Sequence, residues 1–207
     1  RFLYISSIKY RITQNLYQEI KNIRETDKLL KENLEPFLEL CKVSFSGSSE
    51  NSETALAILT SFAPFLIDRI LNEQQSLFSA ALEILAYLVQ IMPEKVDENM
   101  SSLVNLLMSA FTIHPTKRFL HAALTLFLQS IQYTSLKISI YKEHSSLISR
   151  LLQLTKLPSY EVSYDLLFQS IIVVGSIRAT IINHSKSEKN NISGNDGNKI
   201  EIMSAFS

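Results

Sequence analysis

The chain has 207 residues, of which 46% are hydrophobic and 19% charged, and its 20 basic and 20 acidic side chains give a formal net charge of zero. This is enough apolar material for a buried core, and the balanced charge provides no overall attraction to nucleic acid or to an anionic membrane. The single cysteine, Cys41, excludes an intramolecular disulfide and a cluster of thiolate metal ligands. Four glycines are too few for the tight turns of a sheet protein. We therefore expect an all-α protein of the cytoplasm or nucleus.

Helices are predicted through the first third of the chain. Apolar residues recur every three or four positions over residues 2–25 and 27–40, which predicts two amphipathic helices. Pro36 should kink the second helix or start a new one. The small, polar loop 44–52 ends at Asn51 and Ser52, either of which can cap a helix that Pro64 bends.

Prolines divide the remaining helices. Pro93 and Pro115 should each stop a helix, and Thr116 can cap the one that follows. Residues 134–142 form a broken stretch that contains scattered apolar side chains. The predicted helices of this part cover residues 73–92, 97–113, 117–133, 143–157 and 160–182.

The end of the chain differs in composition from the rest. Residues 183–198 are polar and hold two of the four glycines, so we predict a disordered loop there. Residues 199–207 would begin a further helix. The chain begins with Arg1, and we expect it to be part of a longer protein.

Two apolar phrases occur twice along the chain. "SAALEIL" begins at Ser79, and "HAALTLF" begins 42 positions later at His121. Downstream, "SSLVNLL" and "SSLISRLL" place Leu103 and Leu147 in equivalent positions with an offset of 44 residues. A period near 40 that contains two helices is typical of an α-solenoid, in which neighbouring helical pairs bury each other's apolar stripes. The alanine pair in each first phrase would let neighbouring helices approach closely.

Residues 52–182 resemble the HEAT and armadillo repeat proteins, and HEAT repeats most. The resemblance implies a right-handed α-α superhelix of about four to five helical pairs over residues 1–182. The chain departs from the HEAT pattern where an aspartate and a Val-Arg pair usually form a ladder between repeats. Here Phe119 and Leu120 occupy that position, and Arg118 lies one place away.

The resemblance implies a non-enzymatic scaffold or adaptor that binds other proteins. It also allows a narrower hypothesis, a segment of a nuclear transport receptor that binds cargo or a small GTPase. Helical repeat proteins bind their partners in a groove lined by the second helices of successive units. The candidate groove residues are polar or aromatic side chains on these helices: Glu83, Tyr87, Gln90, Thr125, Gln129, Gln132, Asp165 and Gln169.

The sequence gives little support to other classes of function. No two of the four histidines have the i, i+4 spacing of metal ligands on a helix, and no glycine-rich phosphate loop follows a strand, so we expect neither an enzyme nor a bound cofactor or metal. No uninterrupted apolar run is long enough to span a membrane. Nucleic acid is the less favoured partner and would need a basic ridge formed by Lys117, Arg118, Lys137, Lys142, Arg150 and Lys156.

Overall fold

A computed structural model describes residues 14–15, 17–22, 34–47, 50–72, 78–113, 116–142 and 145–176 of the chain. Within these ranges the backbone forms helices and turns and contains no strand, which confirms the all-α prediction for this part of the protein. The predicted loop 183–198 and the predicted helix start at 199–207 lie outside the described residues.

The described part of the chain is helical over most of its length. In chain order they are α1 (17–22), α2 (Leu34–Ser44), α3 (Glu50–Asn72), α4 (Ser79–Ile91), α5 (Pro93–Asp97), α6 (Met100–Ile113), α7 (Lys117–Tyr133), α8 (Leu136–Lys142), α9 (Ser145–Gln153), a 3₁₀ turn (Leu154–Lys156) and α10 (Tyr164–Ser176).

The chain divides into two compact units, Arg1–Ile171 and Ile172–Ser207. All the packing described below lies within the first unit. In the second unit residues 172–176 are described; they are helical, and the Ser176 hydroxyl donates to the Val173 carbonyl oxygen at 2.8 Å.

Helices of the first unit pack in two rows. In one row α3 packs against α6, and α6 packs against α9. In the other row α2 packs against α4, and α4 packs extensively against α7. The rows are joined because α3 contacts α4 and α6 contacts α7, while α8 lies against both α7 and α9. Each helix of these rows therefore has its main contacts with its neighbours in the sequence and with the next helical pair.

Both repeated phrases fall on helices that pack together. The alanine pairs of the first phrase lie on α4 and α7, which pack against each other, and Ala81, Ala122 and Ala123 are buried. Leu103 and Leu147 of the second phrase lie on α6 and α9, and both are fully buried. The sequence repeat thus corresponds to helices that contact each other across successive pairs.

Polar contacts connect residues about one repeat apart. Asp97 Oδ1, at the end of α5, accepts hydrogen bonds from the Ser135 backbone N–H at 2.8 Å and from its hydroxyl at 3.0 Å. Lys117 Nζ donates to the Ser159 carbonyl oxygen at 3.2 Å. These hydrogen bonds attach the segments at the ends of the helices to residues of the neighbouring helical pair.

Several predicted helix limits are confirmed. Helix α7 has the predicted bounds, and Thr116 caps it, since its Oγ1 accepts a hydrogen bond from the Phe119 N–H at 3.1 Å. Helix α6 ends at Ile113, two residues before Pro115. Pro36 lies in the first turn of α2, where a missing N–H costs no helical hydrogen bond.

Other predicted limits are wrong. Helix α3 already begins at Glu50, so Asn51 and Ser52 are not caps; the Ser52 hydroxyl instead donates to the carbonyl oxygen of Gly47. Gly47 has a φ of +116°, which a residue with a side chain rarely adopts. The helix predicted to stop before Pro93 does so, since α4 ends at Ile91, but the separate helix α5 that begins at Pro93 was not predicted. The stretch predicted to be broken after residue 134 contains the helix α8.

Helix α3 is the one helix in the described ranges whose length and composition would allow it to cross a membrane. Its 18-residue apolar window is 44% buried inside the protein. The buried residues Leu59, Leu66 and Ile67 belong to the core that α3 shares with α2 and α4. The core helix of a water-soluble protein meets the same criteria, so this feature is weak evidence for a membrane span.

Candidate functional site

A groove with a volume of about 410 Å³ lies between α4 and α7. Among the residues that the structure describes, its lining comes from these two helices. Four residues of each helix contribute: Glu83, Ala86, Tyr87 and Gln90 from α4, and His121, Ala122, Thr125 and Gln129 from α7.

The spacing of the lining residues and the small size of two of them explain why the groove exists. On each helix they recur every three or four positions, so they lie along one face of that helix. Ala86 and Ala122 are buried at 4% and 1% exposure and form the floor. Because the side chain of each alanine is a single methyl group, neither residue fills the space above it.

One end of the groove carries paired charges. Arg118 Nε donates to Glu83 Oε1 at 3.0 Å, and this hydrogen bond raises the pKa of the Arg118 guanidinium above its usual value. Arg118 lies in the first turn of α7 and Glu83 in the second turn of α4, so the amino-terminal parts of the two helices are adjacent. The pair is solvent-accessible, with Arg118 62% and Glu83 25% exposed. Exposed pairs of this kind contribute at most about 1 kcal/mol to stability.

The other end of the groove carries two primary amides. Gln90 and Gln129 are the lining residues closest to the carboxyl ends of α4 and α7. Gln90 Nε2 donates to the Ala86 carbonyl oxygen at the long distance of 3.3 Å. Gln129 Oε1 is buried and has no hydrogen-bond partner, and in the described part of the chain it is the one buried side-chain nitrogen or oxygen in that condition. Such an unsatisfied acceptor costs about 1–3 kcal/mol.

The middle of the groove presents an aromatic ring and a hydroxyl. The Tyr87 ring lies 5.0 Å from the ring of Phe45, centroid to centroid, with the planes inclined at 42°. Phe45 follows α2 and is 41% exposed. The Thr125 hydroxyl donates to the His121 carbonyl oxygen at 2.9 Å, within α7. The walls of the groove are therefore partly apolar. The opposite charges of Glu83 and Arg118 cancel each other.

The structure brings together most of the residues predicted to line a groove. Five of them border the groove described here: Glu83, Tyr87, Gln90, Thr125 and Gln129. Gln132 is exposed on α7 beyond the lining, and Asp165 and Gln169 are exposed on α10 and are not among the lining residues.

Three lining residues were not in the predicted set: Ala86, His121 and Ala122. His121 and Ala122 belong to the repeated phrase; the alanine pair was predicted to pack between helices, whereas His121 is exposed, and both residues border the groove. Ala86 could have been identified from the sequence, because it directly precedes the predicted residue Tyr87 on the same side of α4.

The residues of the predicted basic ridge occupy separate surroundings. Arg118 is paired with Glu83, and Lys117 donates to the Ser159 carbonyl oxygen. Arg150 Nη1 donates to Gln153 Oε1 at 3.3 Å. Lys137 and Lys156 are exposed on α8 and on the 3₁₀ turn, and the backbone of Lys142 ends α8.

The other candidates for chemistry were the histidines and the cysteine. Cys41 is fully buried on α2, and burial raises the pKa of its thiol to about 12. In the ranges that the structure describes, no group of three or more His, Cys, Asp or Glu is placed to hold a metal ion.

Comparison of the chain with protein-family models, with curated proteins and with solved structures finds no match.

Proposed function

We propose that this protein is a non-enzymatic scaffold built from stacked helical pairs, and that the groove between α4 and α7 binds a segment of another protein. The observation that carries the proposal is the convergence of Glu83, Tyr87, Gln90, Thr125 and Gln129 on one groove. The sequence predicts the same five residues as surface positions of a repeated second helix.

The packing supports the stacked arrangement. Helices one repeat apart contact each other, α4 with α7 and α6 with α9, and these helices carry the repeated phrases. In a solenoid each unit contacts its neighbours, and equivalent helices of successive units form one continuous surface. The two rows of the first unit have this pattern of contacts, which is the reason for proposing an α-solenoid of the HEAT or armadillo type.

The shape and lining of the groove support a peptide segment as its occupant. The lining of α4 extends from Glu83 to Gln90, which corresponds to about 10 Å along a helix axis. That length suits about two turns of a helix or three residues of an extended chain. A mixture of aromatic, small and polar side chains around a concave surface is typical of binding sites.

The test is a selection of peptides on the full chain. A random peptide library displayed on phage is selected on the wild-type protein, and the affinity of the enriched peptides is measured for two variants. Thr125→Arg places a long side chain in the groove and should weaken binding by about tenfold or more.

A matched control is available on α6. The Thr112 hydroxyl donates to the Met108 carbonyl oxygen at 2.7 Å, as the Thr125 hydroxyl does to that of His121, and Thr112 is exposed away from the groove. Thr112→Arg should bind the peptides like the wild type. Equal affinity of both variants, with helical content and thermal stability unchanged, would contradict the proposal, as would a failure to enrich any peptide.

A further inference from the structure

The lining of the groove carries one formal charge, and that charge is negative. With histidine counted as neutral at pH 7, Glu83 is the charged residue among the eight that line the groove. Arg118 donates from Nε to Glu83 Oε1 at 3.0 Å, and Glu83 Oε2 has no hydrogen-bond partner among the described residues. A carboxylate offers about four acceptor sites. Glu83 can therefore accept a further donor from a bound partner.

The charges next to this end of the groove add to its negative character. Arg118 balances Glu83, and Lys42 balances Glu39, whose Oε1 lies 2.6 Å from Lys42 Nζ. The hydrogen bond to Glu39 raises the pKa of Lys42 above its usual value, and the charges of Glu83 and Glu35 contribute to the rise. Glu35 also adds to the raised pKa of Arg118. These five side chains hold three carboxylates and two cations, so one negative charge is left over.

An aromatic ring lies beside the carboxylate in the lining. Tyr87 follows Glu83 by four positions on α4, so the two side chains share one face of the helix, with Cβ atoms about 5–6 Å apart. Phe45 packs against the Tyr87 ring at 5.0 Å, centroid to centroid. An aromatic face attracts a cation that lies within about 6 Å of it. A cation in this part of the groove would thus interact with the carboxylate and with the ring.

We propose that the groove binds a lysine or arginine side chain of the partner segment between Glu83 and Tyr87. This inference rests on the proposed function. The cationic group donates to Glu83 Oε2, and its aliphatic stem lies along the Tyr87 ring. An aspartate or glutamate of the partner at the same place would lose hydration and face the Glu83 carboxylate, which is unfavourable.

Arg118 is an internal competitor for the same carboxylate. It is 62% exposed, and an exposed ion pair of this kind contributes little to stability, so the protein should fold without it. Arg118→Gln leaves Glu83 entirely to the partner and removes a positive charge that repels the incoming cation. If the ion pair merely held α4 to α7, loss of either member would weaken binding. Recognition of a cation predicts opposite effects for the two members.

The first test is the composition of the peptides selected on the wild-type chain. We expect lysine or arginine to be enriched at one fixed position relative to an apolar residue. The selection is repeated on Glu83→Gln, which keeps the shape of the side chain and removes its charge, and the enrichment should disappear. Glu53→Gln removes the same charge from an exposed position of α3, away from the groove, and should retain the enrichment.

The second test measures the coupling between the cation and Glu83. The enriched lysine or arginine of one synthetic peptide is changed to methionine, and both peptides are titrated against the wild type and the variants. The change should weaken binding about fivefold to the wild type and less than about twofold to Glu83→Gln. Arg118→Gln should bind the original peptide at least about twofold more tightly than the wild type does. High salt should reduce the coupling, because the groups are solvent-accessible.

The outcomes separate the two proposals. Peptides that bind the wild type and lose affinity for Thr125→Arg, but show no cationic preference or no coupling to Glu83, overturn the inference and leave the proposed function standing. Enrichment of aspartate or glutamate overturns it as well, and so do equal losses of affinity in Glu83→Gln and Arg118→Gln. If no peptide is enriched, the proposed function fails and the inference fails with it.

Discussion

At the scale of single residues, the environment of Cys41 decides what its thiol can do. The side chain is fully buried on α2, among the core residues Phe37, Leu38 and Leu40. Desolvation raises the pKa of the thiol from 9.0 to about 12, and the thiolate is the reactive form. The position therefore belongs to the core.

We expect the free energy of unfolding to fall as the pH rises from about 9 toward 12. In this window the thiol ionises in the unfolded chain and stays protonated in the folded one, so ionisation favours unfolding. The loss should approach about 1.4 kcal/mol per pH unit. Urea unfolding of the wild type and of Cys41→Ala at pH 8, 9.5 and 10.5 measures the difference (the subtraction removes the contribution of lysines and tyrosines). Parallel pH profiles of the two proteins would contradict this expectation.

At the scale of helices, the cap of α7 has the clearest local origin. Thr116 accepts a hydrogen bond from the Phe119 N–H, one of the amino-terminal groups that have no partner within the helix. Helix α7 also contributes half of the groove lining and packs extensively against α4. The stability of its first turn therefore affects both the core and the groove.

Substitution of Thr116 by alanine should reduce the free energy of unfolding by about 1 kcal/mol, because the Phe119 N–H loses its acceptor. Thr60→Ala is the control, since Thr60 is exposed inside α3 and its hydroxyl donates to the Leu56 carbonyl oxygen. Alanine has the higher helix propensity there, so this variant should be unchanged or slightly more stable. Chemical denaturation of both variants provides the comparison, and a smaller loss for Thr116→Ala than for Thr60→Ala would show that the cap does not contribute.

The sequence predicted helices best where a local signal marked their ends. Thr116, directly after Pro115, gave the bounds of α7 correctly. Helix α5 was missed because Pro93 was interpreted as a stop, although proline is also favoured in the first turn of a helix. Helix α8 was missed because Leu136, Ile138 and Ile140 alternate; in the structure Leu136 and Ile140 are buried four residues apart while Ile138 is exposed.

The candidate groove could be predicted to the extent that it follows from the repeat. Residues on α4 and α7 were identified because the phrase they share is offset by 42 positions, and this offset places them on adjacent helices. Asp165 and Gln169 lie outside both copies of the phrase, and they are not among the lining residues. The unpartnered oxygen of Gln129 could not be predicted at all, because it depends on the rotamer of one side chain and on its shielding by neighbours.

At the scale of the whole molecule, the proposed stacking of helical pairs predicts how a disturbance spreads. Leu147 is fully buried on α9, which packs against α6 and α8 in the first unit. In a stack of units that contact only their neighbours, a cavity weakens the adjacent elements most. A single closed core would instead transmit the loss to every helix.

Leu147→Ala should cost about 2–5 kcal/mol of local stability. Hydrogen exchange followed by mass spectrometry should show faster exchange in α9, α8 and α6, with little change in α2 and α3. Leu152→Ala on the same helix is the control, since Leu152 is 48% exposed and its loss should leave exchange close to that of the wild type. Uniform acceleration across all the described helices would count against stacked units.

The contact between Phe45 and Tyr87 has a consequence for how such a groove could diversify. Phe45 belongs to the turn after α2, and its ring lies 5.0 Å from the Tyr87 ring. Exposed turns accept sequence changes more readily than buried helix positions. Substitutions of Phe45, selected in the laboratory or during evolution, could therefore change the aromatic surface around Tyr87 while the sequences of α4 and α7 stay the same. This requires that Gly47 keeps its left-handed backbone conformation.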